Sequence, residues 1–148
     1  MLKGILAISG KPGLFKMITN AKNSIIVESL IDGKRIPAYA TSKISSLEDI
    51  SIFTLDGDAK LADVFVNVFE KNLEVDPKKA SSNELKKAFK EALPDYDEER
   101  VYVSDIKKVF AWYNILKDKE IITADAIEEY KKSQEEENTE ENTEKNND

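Results

Sequence analysis

The sequence contains no histidine and no cysteine. Their absence excludes a zinc site of the usual ligand set, a Ser-His-Asp triad, a thiol nucleophile and a disulfide framework. The one side chain that ordinarily titrates near neutral pH is missing as well. Only Asp, Glu, Lys, Tyr, Ser and Thr remain for acid/base or nucleophilic work. Long apolar runs are also lacking: no stretch approaches the ~20 residues of a membrane-spanning helix. The opening MLKGILAISGKPG is too short for a signal-peptide core and lacks a small-residue cleavage site. With no thiol to oxidise, the expectation is a cytoplasmic protein that makes no membrane contact.

What is present is charge, unevenly placed. The 148 residues carry a formal net charge of −7, but residues 133–148 alone contribute −6 and residues 48–132 another −6. Residues 1–47 hold seven bases against two acids, or +5. An acidic chain therefore has a basic first third.

That first third reads as short strands at 4–9, 14–19, 24–30 and 35–40, with a fifth at 50–54 after a helical turn at 45–49. Gly10-Lys11-Pro12-Gly13 and Asp32-Gly33 are turn signals, because Gly accepts positive φ and Pro fixes its own φ. Pro37 suits an edge strand. Five strands joined by brief turns fit a small closed SH3-like β-barrel over 1–55, since closure removes exposed edges.

From Asp56 the period changes. Leu61, Val64, Phe65, Val68 and Phe69 mark one helix face, with Asp58 as N-cap. A linker is expected near 73–82. Ser81-x-x-Glu84 is a capping box opening a second helix that ends at Pro94. Ser104-Asp105 begins a third helix bearing Trp112, and Thr123 a short fourth. The helical module therefore spans 56–132. The repeated EENT of 133–148 has nothing apolar to offset the entropy of ordering, so an acidic disordered tail is expected there. The fold class is α+β.

The strings LKGILAISGKPGLFK and IIVESLIDGKRIPAYATSKISSLEDISIFT resemble a family of short bacterial proteins defined only as a domain of unknown function. SSNELKKAFKEALPDYDEERVYVSDIKKVFAWYNIL is similar to the helical module that accompanies that domain. The resemblance covers roughly 1–120 and implies a cytoplasmic bacterial protein of two modules. It brings no activity, ligand or catalytic residue.

Several motifs reduce to structure. Gly4-x₅-Gly10-Lys11-Pro12 has the wrong spacing for a P-loop, and Pro12 removes an N–H that a phosphate cradle would use. Asp56–Lys60 and Asp95–Glu99 start like calcium loops but place Lys60, Arg100 and Ile106 where ligands or Gly belong. No carboxylate pair stands out as acid and base. The expectation is no enzyme, no catalytic residues, no cofactor and no metal. The residues set aside as a partner surface are Lys11, Lys16, Lys34, Arg35, Tyr39, Lys43 and Trp112. Two readings follow: a binding or adaptor module contacting another protein, or a nucleic-acid-associated accessory using the basic barrel. Trp112 is either a partner anchor or core.

Overall fold

The computed structural model of the chain describes residues 1–39 and 43–146, with side chains through 137. Strands β1 (Ile5–Ile8), β2 (Phe15–Ala21), β3 (Ser24–Ser29), β4 (Arg35–Tyr39) and β5 (Ile44–Ser46) form one antiparallel sheet in the order β4-β3-β2-β1-β5. A three-residue 3₁₀ turn, Leu47–Asp49, leads into a separate hairpin of β6 (Ser51–Thr54) and β7 (Gly57–Lys60). Four helices complete the fold: α1 (Leu61–Glu70), α2 (Ser82–Ala92), α3 (Val103–Asp118) and α4 (Ala124–Asn146).

Period-two alternation divides the sheet's side chains. Leu6, Ile8, Phe15, Val27 and Ala38 share one face and form a small apolar cluster of their own. Ile5, on the opposite face of β1, joins Leu2, Leu14 and Leu47 in a larger core with all four helices. The sheet is thus packed on both sides only at β1. Gly13 sets the entry to β2: its φ is +82°, and a Cβ there would lie 2.3 Å from Ile31 Cδ1. Any other residue would be strained at that φ, and the exposed Ile31 side chain would have to move aside.

The expected barrel is not closed. Residues 50–54 do form a strand, but it does not join the sheet. The chain reverses over Leu55-Asp56 into Gly57, whose φ is +121°, and Thr54 Oγ1 donates to the Gly57 carbonyl at 2.9 Å. The ladder positions of β6 are then taken on one side by β7. On the other side the α2–α3 loop bonds it, through Leu55 N–H to Asp95 O and Asp97 N–H to Phe53 O. A strand so paired has no free edge for closure. The place beside β1 goes to β5, too short to show in the pattern of the sequence.

The helices follow their periodicity. α1 buries Leu61, Val64, Phe65 and Val68. Its N-cap is Lys60 without a side-chain bond, because the expected cap, Asp58, lies within β7. In α2 the Ser81 hydroxyl accepts from Glu84 N–H at 3.2 Å. Before α3, Tyr102 is the N-cap and its N–H donates to the Asp105 carboxylate at 3.0 Å. Thr123 Oγ1 accepts from Ala126 N–H ahead of α4. The segment expected as a linker is a loop bound to α3, with Asn114 Nδ2 donating to Val75 O. Disorder was expected over 133–148, yet α4 continues to Asn146; Glu, Gln and Lys are good helix formers, and the docked first turns supply the nucleus. Residues 147–148, like Ala40, Thr41 and Ser42, fall outside the described residues.

Around Phe89 the core is aromatic. Tyr96 meets it edge-on at 4.8 Å between centroids and Phe110 at 6.4 Å. Among the described residues no helix is long and apolar enough to cross a membrane.

Candidate functional site

The β1–β2 turn, the start of β5 and one face of α3 enclose a furrow of about 540 Å³. Lys11 enters from the turn, Lys43 from the residue before β5, and Lys108 from α3. Trp112, one helical turn beyond Lys108, forms the wall between them and is half-buried. Positions i and i+4 lie on the same helix face, which is why these two side chains meet the same space. Ala7, Ile8, Ile50 and Ile115 supply an apolar floor.

No carboxylate lines this furrow among the described residues, in a chain with 29 acids. Among the described residues Lys11, Lys43 and Lys108 make no ion pair either. Three like charges around one concavity repel each other, and an anionic occupant relieves that repulsion while low-dielectric walls focus the field. Two other grooves lack this bias. One, of about 860 Å³, sets Glu74 and Asp76 against Lys78 and Lys117; the other, of about 410 Å³, sets four acids against two lysines.

Past Trp112 the furrow continues into a recess of about 250 Å³ lined by Phe53, Arg100, Asp105 and Val109. Arg100 is committed to the fold there. Its guanidinium lies 4.4 Å over the Phe53 ring, and Nε donates to Asp97 Oδ2 at 2.7 Å. That bond, aided by the Glu99 and Arg100 backbone N–H groups and by the Arg100 charge, holds the Asp97 carboxyl below its usual range although partial burial opposes it. Asp105 is likewise occupied, accepting from Tyr102 N–H.

Three of the seven residues singled out in the sequence meet at this furrow: Lys11, Lys43 and Trp112. The other four lie elsewhere. Lys16, Glu28 and Arg35 are cross-strand neighbours on β2, β3 and β4, so the acid offsets the bases, and Arg35 Nε sits 3.8 Å from Glu28. Lys34 belongs to the β3–β4 turn, and Tyr39 is exposed at the end of β4. Phe15, the other aromatic of the first third, is buried. Lys108 is the contributor that reasoning on the first third alone passes over. Its signal was its spacing from the single tryptophan.

Two family models match the chain. A domain of unknown function (DUF5606) covers residues 2–47, and a second domain of unknown function (DUF6852) covers residues 50–116. No curated protein matches it. The solution NMR structure of a protein from Bacteroides vulgatus, from the Northeast Structural Genomics Consortium, is similar at 45% identity with a TM-score of 0.69. The match covers 83% of this chain and 90% of that one.

Proposed function

The chain belongs to the family of its Bacteroides vulgatus relative, one that joins these two domains of unknown function, and within that family we propose that it is a non-enzymatic binding module. It acts in the cytoplasm, and its partner is the acidic segment of a protein. One observation carries this reading: among the described residues, the furrow that holds the half-buried Trp112 gathers three lysines and no carboxylate. A tryptophan beside cations is the residue set that anchors interfaces, its ring supplying area and the lysines steering the approach. In this reading the five-stranded sheet is an SH3-like platform left open, which presents the rigid Gly10–Gly13 turn as one lip of the furrow.

A second reading, association with single-stranded nucleic acid, is favoured by the position of Phe53 in the recess beyond Trp112. Two rings among cations suit base stacking. One titration separates the two. Trp112 is the only tryptophan in the chain, so its emission reports on the furrow directly. Poly-glutamate is expected to shift that emission saturably, with the effect weakening as salt rises. Lys11→Glu combined with Lys108→Glu is expected to abolish it. A shift with oligo-dT and none with poly-glutamate favours the second reading, and no shift with either polyanion overturns both.

A further inference from the structure

Acidic segments of the kind the furrow suits occur within this sequence. Residues 133–148 hold seven acids and one lysine. The structure shows how that segment is held. Helix α4 is fastened along α1 and β7: the Tyr130 hydroxyl donates to Asp63 Oδ1 at 2.8 Å, Lys131 pairs with Glu70, and Lys60 Nζ donates to Gln134 Oε1 at 3.0 Å. These ties lie just ahead of the acidic run, whose first residue, Glu135, also has a partner in the folded chain. Beyond Gln134 the helix continues through Asn146, which at 1.5 Å per residue carries it about 18 Å further.

The furrow lies between α3 and the β1–β2 turn, and no described residue of α4 lines it. For the segment to enter the furrow of its own chain, α4 would have to break after its last tie. A second copy meets no such requirement. It offers an acidic helix to a basic furrow, and receives one in return if the two chains are related by a two-fold axis. Reciprocal exchange satisfies both furrows and closes the assembly, where a one-way contact would propagate.

We propose that the acidic C-terminal helix of a second copy docks in the furrow lined by Lys11, Lys43, Lys108 and Trp112, so that the protein self-associates by exchanging residues 133–148. The proposal rests on the furrow's reading as a surface for acidic protein segments.

Sedimentation equilibrium of the full chain tests it, with Trp112 emission as a second readout. At low salt the mass average is expected to rise from monomer toward dimer with concentration, and to fall back at high salt. Two full-length variants each weaken association by about tenfold or more. One carries Lys11→Glu, Lys43→Glu and Lys108→Glu. The other carries Glu136→Gln, Glu137→Gln, Glu140→Gln, Glu141→Gln and Glu144→Gln, leaving Glu135, which has a partner in the folded chain, untouched. All these changes are on exposed lysines or in the C-terminal helix, and circular dichroism checks that both variants fold. Mixed together, the two variants are expected to associate, since one keeps the helix and the other the furrow.

A full chain that stays monomeric at every concentration at low salt overturns the proposal. If Trp112 emission then differs between that chain and the Glu→Gln variant, the segment occupies its own furrow instead. If poly-glutamate shifts the emission of the Glu→Gln variant while the full chain stays monomeric, self-association falls and the furrow's reading stands. No response to poly-glutamate removes both.

Discussion

Asp97 shows how a single side chain can hold two parts of this fold together. It receives Arg100 Nε and two backbone N–H groups, while Arg100 covers the Phe53 ring and donates to Thr54 O, tying the α2–α3 loop to β6. Because its carboxyl is held below the usual range, the folded state binds its proton less readily than the unfolded chain does. The resulting stabilisation is complete above the ordinary carboxylate value of about 4 and is lost as pH falls through the lowered one. Asp97→Asn is therefore expected to lower the urea midpoint at neutral pH and to flatten its decline on acidification. A variant whose acid limb parallels that of the parent would show that the pair does not act this way. The Asp95–Glu99 run was legible in the sequence as a solvated loop. Its clamp on Arg100 was not, because Phe53 and Thr54 lie more than forty residues away.

Among the elements, helices were the most legible and short strands the least. A helix of three turns repeats its apolar signal several times, as α2 does with Leu85, Phe89 and Ala92. Its start is marked by a bond between residues three apart, Ser81 and Glu84, visible in any sequence. Ser81→Ala is expected to cost about 1 kcal/mol, read as a lowered midpoint without a change in denaturant slope. Ser82→Ala, one residue inside the helix, serves as the control and is expected to be near neutral. Strand β5 has three residues and β7 reads GDAK, so neither offers an alternation to detect. Their existence depends on what pairs with them. Helix α4 makes the complementary point: its second half is polar in sequence, and composition alone argued for disorder.

In the whole molecule, the division at residues 47–50 suggested by the two matching domains is not a division of the core. Leu2, Ile5, Leu14 and Leu47 pack in the same cluster as Phe65, Phe89 and Phe110. Residues held at 0–4% exposure would be bared if the first segment stood alone. The full chain is accordingly expected to unfold in one transition, with calorimetric and van't Hoff enthalpies in agreement. A fragment of residues 1–49 should show no cooperative transition. Two separated transitions in the full chain, or a stably folded fragment, would mean that the sheet and helices are independent.

The sequence by itself determined the α+β class, helices α1 to α3 and the start of α4, four of the sheet strands and the exclusion of thiol and imidazole chemistry. Each of these rests on residue types or on contacts between near neighbours, which a linear pattern records. Tertiary structure alone decided that the sheet stays open and that Lys16 and Arg35 are offset by Glu28. It also brought Lys11 and Lys43 across to Lys108 and Trp112, some seventy to a hundred residues along the chain. Charge acts through space, so a basic first third became a candidate site only when the fold placed two of its six lysines, Lys11 and Lys43, against a helix of the acidic 48–132 region.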